Sequence, residues 1–179
     1  MLELPHGAPF NVCEVGVMAG HSALLWLSAS ERVRYFGFDL GPPSNPYLAL
    51  ARESLEGWGF GNRTLVMLGD AMESAPMFAD LAAPSFRCHA LSVDFGHNPA
   101  HHQRILARLM PLAAEGWLIQ YHTAGGHLEE WRALLSAARG ELLRDAHVVA
   151  HGVGIGRVRD VPGDYGEQVA WYERAFSAS

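Results

Sequence analysis

The stretch Asn11-Val12-Cys13-Glu14-Val15-Gly16-Val17-Met18-Ala19-Gly20-His21-Ser22 reads as a short buried strand that passes through a glycine turn into a helix. The apolar run at 11–15 is too short for a helix and suits a strand inside a sheet covered on both faces. Gly16 and Gly20 let the backbone turn sharply and approach a ligand closely. The following helix, expected over about 20–28, would present its N-terminal amide groups at that turn.

Working outward, apolar blocks alternate with helical patterns along the rest of the chain. Strands are expected at 35–40, 64–68, 89–93 and 117–121. Helices are expected at 47–58, 72–81, 98–112 and 128–138. Gly41-Pro42-Pro43-Ser44-Asn45-Pro46 reads as an exposed loop, because prolines and glycine exclude regular structure. Asn98 before Pro99 is a good cap and first residue for the fourth helix. Residues 146–150 and 155–158 read as a hairpin, and 167–176 as a final amphipathic helix. The expected fold is therefore α/β: a Rossmann-like three-layer sandwich around a mostly parallel seven-stranded sheet with an antiparallel C-terminal hairpin. No repeat or long linker divides the chain, so 1–179 is read as one domain.

Composition narrows the function. Of 179 residues 49% are hydrophobic and 18% charged, an ordinary globular balance, and the net charge is −6. No Lys or Arg run is present to track phosphates, so nucleic acid is not an expected partner. No apolar run approaches a membrane span and no signal peptide is visible, which reads as a cytoplasmic protein. In that setting Cys13 and Cys88 are expected to be buried thiols rather than a disulfide. The five tryptophans at 26, 58, 117, 131 and 171 are expected in the core or on packed helix faces, although Trp171 and Tyr172 could form a homodimer contact.

In an open parallel sheet, ligands bind beyond the carboxyl ends of the strands, where strand order reverses. Those ends carry unusual residues here. The first strand leads into Gly16 and Gly20, the second ends at Asp39, the third at Gly69-Asp70, the fourth at Asp94 and the fifth at His122. An acid at Asp39, one unit after the glycine turn, suits ribose hydroxyls. The dinucleotide fingerprint has three glycines, G-x-G-x-x-G. This chain instead has Glu14-x-Gly16-x-x-x-Gly20, with an acid two places before the first glycine. Pyrophosphate would be poorly served beside Glu14, whereas a ligand carrying a sulfonium and an amino group suits an acidic rim.

Residues 14–22, with Asp39, Gly69-Asp70 and Val93-Asp94-Phe95-Gly96-His97, resemble the class I S-adenosylmethionine-dependent methyltransferases. The likeness is greatest to the small O-methyltransferase-like group, the methyltransferase domain 24-like proteins, which carry Asp-Gly-x-His after the fourth strand. It covers about 11–159. The resemblance implies that Gly16, Met18 and Gly20 form the loop beneath the methionine part of S-adenosylmethionine, supported by Glu14 and Ser22. It implies that Asp39 holds the ribose, and that Asp70 and Ala71 border the adenine. Asp94 would face the transferred methyl group as metal ligand, base or substrate anchor.

Two departures from the family accompany this. Relatives that bind a divalent metal supply a second acid at the end of strand five, where this chain has His122. Magnesium prefers oxygen ligands, so a softer metal held by Asp94 and His122 is the form a metal site would take. Relatives also carry an N-terminal helical cover, whereas about ten residues precede the first strand here. A lid would have to come from 41–46, 125–127, the last helix or another subunit. His97 and His122 fall at the active rim, and His122 is the best candidate for a general base titrating near neutral pH. His101 and His102 read as solvated or capping residues. The expected activity is methyl transfer to an oxygen of a small molecule, with a nitrogen as the alternative acceptor. A non-catalytic binding module and an NAD(P)-dependent oxidoreductase are the rivals.

Overall fold

The computed structural model describes residues 7–83, 85–95, 99–113, 115–120, 143–149, 153–158 and 160–177. In chain order these form β1 (Phe10–Val15), α1 (His21–Ala29), β2 (Val33–Asp39), α2 (Leu48–Gly57), β3 (Thr64–Leu68), α3 (Ala71–Leu81) and β4 (Ala90–Val93). They continue with α4 (Pro99–Leu109), β5 (Trp117–Gln120), β6 (Leu143–Val149), β7 (Val153–Val158) and α5 (Tyr165–Ser177). The sheet order is β3-β2-β1-β4-β5-β7-β6. Pairing is parallel from β3 through β5, and β7 runs antiparallel to both β5 and β6. Strand order reverses between β1 and β4, so a crevice must open above their carboxyl ends.

Side-chain alternation along β1 distributes the core to both faces. Val12 joins Tyr35, Ala90, Ala23, Leu27, Leu48, Ala51 and Leu55 beneath α1 and α2. Cys13 and Val15 join Phe38, Leu91 and Val93 on the other face, where α3, α4 and α5 contribute Phe78, Ile105, Leu109, Tyr172 and Phe176. Arg63 closes the last turn of α1, donating to the carbonyls of Leu27, Ser30 and Val33.

Two expectations are corrected. Cys13 and Cys88 form a disulfide with Cα atoms 5.6 Å apart. Cys13 lies in β1 and Cys88 just before its neighbour β4, so parallel pairing brings together residues 75 apart, a proximity invisible in the sequence. Trp58 is not packed: it follows α2 and is 67% exposed. Within the chain, α5 lays Tyr172 and Phe176 into the core against α4 with Trp171 packed beside them. The fourth helix also ends earlier than expected, passing into a 3-10 turn over Met110–Ala113. The expected helix at 128–138, with Trp131, lies outside the described residues.

No described helix is long and apolar enough to cross a membrane.

Candidate functional site

The chain leaves β1 through Gly16, whose φ of 87° is left-handed. A Cβ there would lie 1.9 Å from the Asp94 carbonyl oxygen, so glycine is what lets the turns after β1 and β4 touch. Both turns are tied to the sheet. Gly16 N donates to the Phe38 carbonyl, and Asp94 N to the Val15 carbonyl, each at 2.9 Å. Met18 then takes φ 49°, unusual for a residue with a side chain. Its amide donates to Asp39 Oδ2 at 3.1 Å and its carbonyl accepts from Asn45 Nδ2 at 3.1 Å. Gly20, also left-handed, caps α1 and sits against Ala51 of α2.

Asp39 is buried at the end of β2 and organises this turn. Its Oδ2 accepts from Val17 N, Met18 N and Asn45 Nδ2, and its Oδ1 from Gly41 N. A carboxylate offers about four lone-pair sites. Oδ2 is filled by these three donors, and Oδ1 keeps one direction for a ligand hydroxyl.

Glu14 plays the corresponding part on the α1 face. Gly37 lies opposite it on β2 and Ser92 opposite it on β4. Ser22 and Tyr35 donate to its Oε2 and Ser92 to its Oε1. Burial pushes the Glu14 carboxyl above its ordinary 4.5; the three hydroxyl donors oppose the shift, and the nearby Asp94 charge adds to it. Glu14 is thus a buried hub that fixes Ser22 at the start of α1.

Two clefts open on either side of the Gly16–Met18 backbone and share Gly16, Met18 and Asp94. The first, of about 340 Å³, lies between Asp39, Leu40 and the 44–47 loop on one side and Gly69, Asp70 and Ala71 on the other. Asp70 caps α3, its Oδ1 accepting from Met72 N at 2.8 Å. The second, of about 460 Å³, is polar at Glu14, His21, Ser22 and Asp94 and apolar along Leu25, Trp26 and Ala29 of α1.

Of the residues singled out in the sequence, Glu14, Gly16, Met18, Ser22, Asp39, Asp70, Ala71 and Asp94 therefore converge on one crevice. Gly20 shapes it without lining either cleft. His97 and His122 lie outside the described residues, and so does the pairing of His122 with Asp94 as a metal site. Among the described residues no group of three or more His, Cys, Asp or Glu is placed to hold a metal ion. Of the candidate covers, Ser44, Asn45 and Pro46 of the 41–46 loop wall the first cleft, the described residues of α5 line neither, and 125–127 lie outside the described residues. Sequence reading missed Tyr35, Ser92, Asn45 and Tyr47. Tyr35 and Ser92 were legible as polar groups inside apolar strands; Asn45 was hidden in a loop read as exposed.

No family model matches this chain, and no curated relative does. Solved structures do match. A methyltransferase from Geobacter sulfurreducens superposes with a TM-score of 0.61 at 22% identity, over 87% of this chain and 73% of that one. Cofactor-bound Rv0187 from MTB gives 0.65 at 18% identity, over 85% and 74%. An O-methyltransferase of neocarzinostatin biosynthesis, solved with S-adenosylmethionine and 2-hydroxy-5-methyl naphthoic acid, gives 0.60 at 17%. That match covers 88% of this chain and 51% of the longer one. The chain thus has the Rossmann-like α/β fold of class I methyltransferases.

Proposed function

We propose that this chain binds S-adenosylmethionine across the two clefts and transfers its methyl group to an oxygen of a small-molecule acceptor, leaving S-adenosylhomocysteine. The observation that carries the reading is the meeting of a nucleoside-sized cleft and a polar cleft at Gly16, Met18 and Asp94, above the reversal of strand order. The first cleft fits an adenosine. Asp39 Oδ1 faces the ribose with its remaining lone pair, and Leu40 and Ala71 supply apolar walls for the base. The second receives the amino-acid end beside Ser22 and His21. Bound there, the group supplies a methyl carbon activated by a sulfonium, open to displacement by an acceptor oxygen.

The protein's part is alignment, proton removal and electrostatics. Asp94 borders both clefts and is exposed, so its carboxylate can anchor an acceptor hydroxyl and accept its proton. Its negative charge also favours a cationic donor over the neutral thioether product.

Calorimetric titration with S-adenosylmethionine, S-adenosylhomocysteine and NAD, with and without magnesium or zinc, tests the reading. Micromolar binding of both adenosyl ligands and none of NAD is expected. No adenosyl binding under any condition would overturn it.

A further inference from the structure

We infer that Asn45 is the positioning residue of the adenosyl cleft: its carboxamide locks the 41–47 loop, the Gly16–Gly20 turn and Asp39 into one register, on which ligand affinity depends. The inference rests on reading that cleft as the adenosyl site.

Asn45 stands in a loop of glycine, prolines and serine, yet it is only 8% exposed. Both polar atoms of its side chain and its backbone N–H are engaged. Nδ2 donates to Asp39 Oδ2 at 2.9 Å and to the Met18 carbonyl at 3.1 Å. Oδ1 accepts from Tyr47 N at 3.0 Å, and the Asn45 amide donates to the Gly41 carbonyl at 2.8 Å. One side chain therefore spans three segments that are distant in sequence or fold back on themselves.

The consequence falls on Met18. Left-handed backbone is unfavourable for a residue with a Cβ, so Met18 needs its neighbours to hold it. Its amide is held by Asp39 and its carbonyl by Asn45, and Asn45 also orients the Asp39 carboxylate. Met18 borders both clefts, and Asn45, Pro46 and Tyr47 form the wall facing Asp70 and Ala71. Without the carboxamide, Met18 loses one anchor and the wall loses its tie to the turn. No other side-chain type supplies two donors and one acceptor at this length except glutamine, which is one methylene too long.

Aspartate at this position keeps the acceptor for Tyr47 N but loses both donated bonds when ionised. It also sets a second carboxylate against Asp39 Oδ2. Two carboxyls that share a site hold one proton above the ordinary carboxylate range, so acidification restores a donor between them. Asp70, Asp94 and Tyr47 are the other titratable groups bordering this cleft, and they are common to wild type and variant.

The experiment is calorimetric binding of S-adenosylhomocysteine to wild type, N45A and N45D at pH 8 and pH 5.5, with thermal melts of each protein. Wild-type binding with both variants folded and about 10- to 100-fold weaker at pH 8 is the expected result. N45D should recover several-fold at pH 5.5 relative to wild type, whereas N45A should not. Folded variants within about twofold of wild type would overturn the inference alone. Weakening that only follows the unfolded fraction in the melts would also overturn it, since Asn45 would then be a stability residue. Wild type that fails to bind would overturn the adenosyl reading itself, a distinct outcome.

Discussion

Replacing Gly16 with alanine tests the geometry on which the whole crevice depends. The new methyl would lie 1.9 Å from the Asp94 carbonyl oxygen and 2.8 Å from its carbon, against backbone rather than a flexible side chain. One segment must retreat by more than 1 Å to reach ordinary contact, about 3.4 Å. Retreat strains the bonds from Gly16 N to Phe38 and from Asp94 N to Val15, worth about 1 kcal/mol each. The φ of 87° adds about 1–2 kcal/mol for a residue with a Cβ. The total is about 3–4 kcal/mol, or a fall in Tm of about 6–16 °C for a chain of this size. Gly59 is the internal control: its φ is 78°, and nothing lies within 4 Å of a Cβ built there. G59A should therefore cost the backbone term alone, about 1–2 kcal/mol. Differential scanning calorimetry of the two variants isolates the clash as their difference. Equal melting shifts for G16A and G59A would refute the close approach of the β1 and β4 turns.

Four further outcomes follow from other parts of the fold. Because burial raises the Glu14 pKa, the stability this group contributes is fully present below about 4.5 and is lost as pH rises through the folded value. Urea unfolding should thus show wild type losing ground to E14Q between pH 4 and pH 8, and a constant difference would count against a buried, raised carboxyl. The Cys13–Cys88 disulfide closes a loop of 75 residues, for which chain entropy gives about 4 kcal/mol. Reduction in denaturant should release two thiols and leave a refolded protein less stable by that order, and two free thiols before reduction would disprove the bond. Y172A removes a side chain 1% exposed between α5 and α4 and should cost about 3–5 kcal/mol at every protein concentration; a concentration-dependent loss would point to a subunit contact instead. D94N should weaken S-adenosylmethionine more than S-adenosylhomocysteine, an effect that salt diminishes because Asp94 is exposed, and equal losses would remove its electrostatic role.

How much of this was legible depended on the range of each signal. β1 and its turn could be read because strand periodicity, two glycines and a following helix are local features. The acids at strand ends were legible as a set because topology places all parallel carboxyl ends on one rim. What Asp39 does there was not legible. Sequence position says that an acid stands at the end of β2, but only the fold reveals that Val17, Met18 and Asn45 already occupy one of its oxygens. The disulfide failed for the same reason: compartment arguments weigh whether a bond persists, while strand pairing decides whether two sulfurs meet. Trp58 shows the opposite error, where hydrophobicity was taken for burial at a helix end that the core does not reach.

The two buried carboxylates explain why the site is built rather than merely bordered by polar residues. Glu14 and Asp39 flank the same turn and spend most of their lone pairs on protein donors: Glu14 fixes the first turn of α1 through Ser22, and Asp39 fixes Val17 and Met18. Charges used in this way cannot also be the main hydrogen-bonding surface for a ligand, yet they still set the local field. With Asp70 and Asp94 on the same rim, the described part of the crevice is lined by acids. Clustered carboxylates favour cations over phosphates, which is the sense in which a sulfonium ligand would suit the proposed site. Under the proposed reading, selectivity would be a property of charge held in place by Asp39, Glu14 and the residues that fix them, Asn45 among them.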